Sequence, residues 1–196
     1  MPEREAIIER STAETDIHVG LCLDGGDIAV ETGVPFFDHM LQQVARHGRL
    51  GLSIRARGDL EVDAHHTVED VGIALGEALA AALGDKRGVQ RYGDALVPME
   101  ESLAQVALDL SGRALLVYDA VIPASSIGQF ETSLTEEFLQ AFARAAGVTL
   151  HVTLLRGKNA HHAVEAIFKA LARALGAAVA TDPRAPSSIP STKGVL

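Results

Sequence analysis

Residues 15–23 alternate, with Ile17, Val19, Leu21 and Leu23 set between polar or small neighbours, the two-residue period of a half-buried strand. Asp24-Gly25-Gly26-Asp27 carries turn chemistry and predicts a reversal into a second strand at 28–32. The period then lengthens. Behind Pro35, Phe36, Met40, Leu41 and Val44 recur at helical spacing, which predicts a helix from Pro35 through about Arg46, ended by Gly48. A strand at 50–57, the loop GDLEVDA and a helix from about His66 to Leu83, stopped by Gly84-Asp85, complete this block. A second block follows the same order of strand, strand, helix, strand, helix. It has strands near 103–110 and 113–120, a helix at 133–146 starting at Thr132 or Ser133, a strand at 148–155 and a helix at 162–180. The fold class is α+β and internally duplicated: two similar half-domains at 1–90 and 91–184, each a small, mostly antiparallel sheet covered by helices. A tail at 185–196 follows, and DPRAPSSIPSTKGVL alone reads as a disordered terminus.

The repetition extends to individual residues. HMLQQVARHGRLGLSI at 39–54 lies over EFLQAFARAAGVTLHV at 137–152 at one constant offset, matching Leu41 to Leu139, Gln42 to Gln140, Arg46 to Arg144 and Leu52 to Leu150. His-His-Thr-Val-Glu at 65–69 answers His-His-Ala-Val-Glu at 161–165, at an offset two residues shorter. Upstream, a weaker match lays ETDIHVGLCLDGGD over EESLAQVALDLSGR and pairs Glu14 with Glu100. A period of about 90 residues is too long for a solenoid and points to two halves packed as one unit.

Imidazole nitrogens and carboxylate oxygens bind first-row transition metals, so a duplicated cluster of both points to a duplicated metal site. On a helix, His65 and Glu69 lie roughly 40° apart, whereas His65 and His66 diverge by roughly 100°. Adjacent histidines therefore suit two different centres rather than one. A single such pair reads as a polar helix cap; the identical second copy moves the balance to metal binding. His39 in Phe-Phe-Asp-His-Met aligns with Glu137, making that carboxylate its counterpart in the second half. His151 aligns with Ser53 and reads as a packed histidine, or one hydrogen-bonded behind a ligand. His18 and His47 read as surface or satisfied core residues.

At 196 residues and 47% hydrophobic content the chain can bury one large core or two joined ones. Its formal charge of −9 disfavours nonspecific nucleic-acid binding, although local charge can still hold an anionic small substrate. No apolar run reaches membrane-spanning length, and MPEREAIIER has no hydrophobic signal region, so a cytoplasmic protein without membrane partners is expected. The lone Cys22 excludes an internal disulfide and reads as a buried thiol.

The segments FFDHML, HHTVEDVGIALGEAL, SGR, GKNAHHAVEAIFKALARAL and SSIPSTKG, in that order, closely resemble the imidazoleglycerol-phosphate dehydratase family of histidine biosynthesis over nearly the whole chain. The resemblance implies a ribosomal protein S5 domain 2-like duplicated fold, two manganese ions per active site, and a homo-oligomeric 24-subunit shell with sites between subunits. With no fused phosphatase segment, the chain looks like the monofunctional form. The implied reaction is manganese-dependent dehydration of D-erythro-imidazole-glycerol phosphate to imidazole-acetol phosphate. Carried over by resemblance, His39, His65, His66, Glu69, His161, His162 and Glu165 are the metal ligands. Glu137 stands where many relatives have a histidine ligand. Gln43 is expected near the substrate; Arg91, Arg113, Lys169, Ser191 and Lys193 resemble the phosphate-binding set; Glu14 resembles the acid-base carboxylate. The tail then becomes a substrate-ordered lid. Relatives often have Asp where Glu100 stands, so a longer carboxylate there is expected to alter the geometry behind the ligands without abolishing activity.

The chemistry is coherent with those residue types. A carbon-bound proton beside an unactivated hydroxyl is too weakly acidic for a side chain alone, and the substrate's imidazole ring supplies the electron sink once both its nitrogens are held. Arg and Lys suit the phosphate. Two other classes share parts of the signature. A binuclear metallohydrolase would release inorganic phosphate from phosphate esters, and a metal-buffering or assembly protein would show no turnover.

Overall fold

A computed structural model describes residues 4–196; the first three residues of the N-terminal stretch discussed above lie outside the described residues. The first half comprises β1 (Glu5–Ser11), β2 (Thr15–Cys22), β3 (Ile28–Glu31), α1 (Pro35–Gly48), β4 (Gly51–Gly58) and α2 (His65–Leu83). The second comprises β5 (Tyr92–Met99), β6 (Ser102–Asp109), β7 (Leu115–Asp119), the small hairpin β8 (Ser126–Ile127) and β9 (Phe130–Glu131), α3 (Leu134–Ala146), β10 (Thr149–Arg156) and α4 (Ala160–Val179). The two main sheets have orders β1-β2-β4-β3 and β5-β6-β10-β7. In each sheet the last pair, β3 with β4 and β7 with β10, runs parallel and the others antiparallel. The duplicated α+β arrangement is therefore present in the topology itself.

Alternation decides which face of each sheet meets the core. Ile17, Val19 and Leu21 of β2 are fully or nearly fully buried, while Asp16 and His18 between them face out. Each sheet lies on its own helices, and the helices then pair across the halves, α2 against α3 and α1 against α4. The junction is aromatic. Phe37 meets Phe138 edge-on at 5.3 Å, and Phe138 meets Phe168 at 5.4 Å, linking helices of both halves.

Small residues set how closely these helices approach. A Cβ on Gly76 of α2 would lie 2.7 Å from the Phe142 carbonyl oxygen of α3, and one on Gly176 of α4 would lie 2.6 Å from the Gly48 carbonyl oxygen of α1. Gly48 is therefore a packing residue inside α1. The helix expected to end at Gly48 closes one residue later, at the left-handed Arg49 (φ 59°), whose backbone N–H donates to the Ala45 carbonyl.

Each half also has a strand that the hydrophobic pattern did not reveal. In β1 the outward positions include Ile7, 79% exposed, so apolar residues fall on both faces and the alternation of burial is masked in sequence. In β5, Leu96 is likewise 58% exposed, and Pro98 sits at an edge where its missing N–H costs no ladder bond. The remaining element ends agree within two residues, α1 running on through Gly48. Cys22 is only partly buried. No helix among the described residues is long and apolar enough to cross a membrane.

The tail is tethered. The Asp182 N–H donates to the Gly88 carbonyl at 2.7 Å, the Gly88 N–H donates to the Ser188 carbonyl at 2.8 Å, and the Arg91 guanidinium donates to the Pro190 carbonyl at 2.7 Å.

Candidate metal centre and substrate site

The two His-His pairs open α2 and α4, each behind a polar side chain that takes up free helix N–H groups. Asp63 accepts from the His65 backbone at 2.7 Å, and Asn159, the N-cap of α4, accepts from His161 and His162. One turn later come Glu69 and Glu165, whose carboxylates face the first histidine of each pair: His65 Nε2 lies 3.9 Å from Glu69 Oε2, and His161 Nε2 lies 3.1 Å from Glu165 Oε2. The second histidines turn away. Ring planes within each pair stand at 88° and 81°.

The tightest cluster crosses the duplication. His39 of α1, with His161 and Glu165 of α4, brings three ligand atoms within 4.8 Å of one another. Glu165 is 5% exposed, and its other oxygen takes the Lys169 ammonium at 2.7 Å. Burial pushes the Glu165 carboxyl up, but the Lys169 hydrogen bond and charge, with His39 and His161, hold it below its ordinary value. Phe36 meets the His161 ring edge-on at 5.1 Å and fixes its orientation. Gln43 spans from His39, at 3.5 Å, to His47, whose Nε2 lies 3.0 Å from Gln43 Oε1. His47, which sequence left without a role, thus ends a chain of polar contacts leading to the cluster.

A second cluster joins Glu14, Asp59 and His66. His66 Nδ1 lies 3.0 Å from Asp59 Oδ2 and 3.7 Å from Glu14 Oε2, and the Asp59 hydrogen bond raises the imidazole pKa. In the second half His162 Nδ1 lies 2.8 Å from Glu101 Oε2. Glu101 also accepts the backbone N–H groups of Lys158 and Asn159, and with His162 these hold its carboxyl well below the usual carboxylate range. Both second histidines therefore point Nδ1 at a carboxylate and leave Nε2 available. Asp59 and Glu101 were not identified from sequence; the only signal was an acid at the end of a strand or in the turn before one, in the copies' unequal loops.

Glu137 is exposed in the first turn of α3 and joins neither cluster among the described residues of one chain. His151 is exposed on the outer face of β10, so it is not packed, and it too joins neither. His18 sits on the outer sheet face, 3.4 Å from Glu9.

The proposed phosphate-binding residues fall in two places. Lys169 is at the His39 cluster. Arg91 grips Asp109 through two nitrogens (2.7 and 3.1 Å), and Arg113 reaches the same carboxylate at 3.9 Å. Since Arg91 also holds Pro190, it stands beside Ser191, whose hydroxyl accepts from the Lys193 backbone at 3.2 Å. Arg91, Arg113, Ser191 and Lys193 therefore belong to one neighbourhood, built where the tail crosses the end of β6.

Mixed imidazole and carboxylate donors fit manganese, iron or zinc, and three ligand atoms within 4.8 Å is the span that one ion's coordination shell occupies. The half-exposed rims of His39, His65, Glu69 and His161 leave these sites open to a ligand or a further chain.

A family model for imidazoleglycerol-phosphate dehydratase matches residues 32–175. Imidazoleglycerol-phosphate dehydratase of Symbiobacterium thermophilum is 58% identical, over 100% of this chain and 94% of the relative, and that of Dinoroseobacter shibae is 58% identical over 98% and 100%. Among solved structures, imidazoleglycerol-phosphate dehydratase from Staphylococcus aureus superposes with a TM-score of 0.84 at 39% identity, covering 91% of this chain and 99% of that one. The Pyrococcus furiosus enzyme gives 0.84 at 38%, covering 96% and 100%.

Proposed function

We propose, because this chain belongs to the imidazoleglycerol-phosphate dehydratase family, that it is the hydro-lyase removing water from D-erythro-imidazole-glycerol phosphate to give imidazole-acetol phosphate in L-histidine biosynthesis. The observation that carries the reading is the pair of diverging His-His motifs, each with its Glu one turn on, in a fold whose helices bring His39 of one half to Glu165 of the other.

Two manganese ions per site fit this donor set, and would be held by His39, His65, His66, Glu69, His161, His162 and Glu165, with Glu137 read as the second half's counterpart of His39, on the helix that packs against the one carrying His65 and Glu69. Manganese held there would supply Lewis-acid polarisation of the substrate's imidazole ring, so that the ring could assist departure of the adjacent hydroxyl and take up the electrons left by the neighbouring C–H bond. The remaining work falls to the chain itself. Lys169 keeps Glu165 ionised in its buried position. Arg91, Arg113, Ser191 and Lys193, with Lys169 contributed at the His39 cluster, hold the phosphate and so fix the glycerol carbons relative to the ring. Gln43 orients the hydroxyl end. Glu14, half exposed beside His66, takes the proton from the carbon next to the one that loses its hydroxyl and passes it to the departing hydroxide, so that one water leaves and the resulting enol becomes the ketone.

The half-exposed rims of the clusters, and the placing of the phosphate residues in two separate neighbourhoods, support sites completed by neighbouring subunits; the resemblance to the family supplies the reading of a 24-subunit homo-oligomer working in the cytoplasm. Residues 1–90 and 91–184 are its two half-repeats, with 185–196 a tail ordered over the phosphate. The deciding experiment is a dehydration assay on imidazole glycerol phosphate with and without manganese. Manganese-dependent formation of the ketone is expected; release of inorganic phosphate would instead identify a hydrolase, and no turnover a binding protein.

A further inference from the structure

The two halves hold their second histidines by different means, and the difference arises at equivalent positions. Glu14 and Glu101 each immediately precede the first residue of the second strand of their sheet, Thr15 of β2 and Ser102 of β6. This moves the weak upstream match by one residue: Glu101, not Glu100, is the structural counterpart of Glu14. Gly58 and Gly157 are likewise equivalent. A Cβ on Gly58 would lie 3.4 Å from Thr15 Cγ2, and one on Gly157 would lie 2.8 Å from Ser102 Oγ. The next residue is Asp59 in the first half and Lys158 in the second.

That exchange decides what each glutamate does. In the second half there is no acid after the glycine, and only residues 158–160 separate that glycine from the His pair, against 59–64 in the first half. Glu101 fills both duties: one oxygen accepts the Lys158 and Asn159 backbone N–H groups and the other faces His162 Nδ1 at 2.8 Å. In the first half the loop is 59–64, and Asp59 occupies His66 Nδ1 at 3.0 Å with a side chain only 20% exposed. Glu14 is left at 3.7 Å with a side chain 53% exposed.

We infer that Asp59 is the positioning residue for His66, and that by taking over the duty Glu101 performs in the other half it releases Glu14 to face substrate. The two copies of one carboxylate have thus divided into a fixed histidine holder and a free proton carrier. The inference rests on the reading of Glu14 as the acid-base group, but the two can fail separately.

The test uses the full-length chain stripped of metal, in which ring-nitrogen NMR shifts report the tautomers of His66 and His162, followed by manganese titration and a turnover assay. Asp59→Ala is expected to shift the His66 signal and weaken manganese binding about 10- to 100-fold, the usual effect of losing a carboxylate behind a metal-bound imidazole. Asp59→Asn, which keeps an acceptor oxygen, restores the signal. Glu101→Ala should shift His162, whereas Glu14→Ala should leave the His66 signal in place and manganese affinity within about twofold of the parent. If Glu14→Ala moves the His66 signal as Asp59→Ala does, or if Asp59→Ala moves nothing, the inference is overturned. Should Asp59→Ala not fold, the contrast between Glu14→Ala and Glu101→Ala decides. Retained turnover in Glu14→Ala would remove Glu14 as the acid-base group while leaving Asp59 as the holder of His66.

Discussion

His39 Nε2 and Glu165 Oε2 lie 3.7 Å apart although one belongs to the first copy of the duplication and the other to the second. The cause is the exchange of helix partners, since α1 packs on α4 and α2 on α3. Neither half could build this cluster alone.

The first prediction concerns metal content. Two sets of His and Glu should load near two manganese ions per chain by elemental analysis, and His39→Ala should lose about one of them, because it removes a ligand from one set only. Finding one ion in the parent, or activation by zinc alone, would count against paired sites.

The second separates two candidate ligands. By the symmetry that sets His39 against His161 and Glu165, Glu137 on α3 belongs beside His65 and Glu69 on α2. Glu137→Ala is therefore expected to lower manganese occupancy more than His151→Ala, measured on the assembled protein. The opposite order would assign the ligand to β10.

The core of each half could be read from the chain because β2, α1 and α3 each bury a single face with the period of its element. β1 and β5 escaped because Ile7 and Leu96 place apolar side chains on the outer face, where no two-residue alternation survives. The first histidine of each pair and its Glu were legible because i to i+4 spacing is fixed by the helix. Asp59 and Glu101 were not, because they reach His66 and His162 from loops, and loop residues carry no period. The β10 irregularity between Leu154 and Arg156 adds one residue there, partly offsetting a loop three residues shorter, so the two-residue offset in sequence concealed two opposing changes.

A third prediction follows from the open rims of the clusters. If neighbouring subunits complete the sites, chelation should shrink the assembly on a sizing column, and manganese should restore it. An elution volume unchanged by chelator would mean the metal plays no part in assembly.

Arg91 joins the substrate site to the tail. Its guanidinium holds Asp109 with two nitrogens and the Pro190 carbonyl with a third, a fork that Lys cannot reproduce. Arg91→Lys keeps the charge but should release the tail, seen as faster proteolysis after about residue 185 and a KM raised by roughly tenfold or more, the scale of one charge-assisted contact. A KM and cleavage rate equal to those of the parent would show that Arg91 neither anchors the tail nor binds phosphate.

The last prediction tests the helix junction that brings the two halves' ligands together. Gly76 lies inside α2, where Ala would ordinarily stabilise the helix by about 0.8–1.0 kcal/mol. Here its Cβ would meet the Phe142 carbonyl oxygen and Ala145 Cβ, both at 2.7 Å, and the Ala146 nitrogen at 2.9 Å. Two of these three are backbone atoms of α3, which cannot swing aside like the end of a flexible side chain, so α2 and α3 must separate. Overpacking of this kind costs about 1–3 kcal/mol, and the clash outweighs the helical gain. Gly76→Ala should lower the denaturation midpoint by an amount equivalent to about 1–2 kcal/mol in the metal-free chain. Because α2 also carries His65 and Glu69, the same substitution should weaken manganese binding without touching a ligand. A variant as stable as the parent would mean that the two helices have room to spare, and that their close approach is not what sets the spacing of the site.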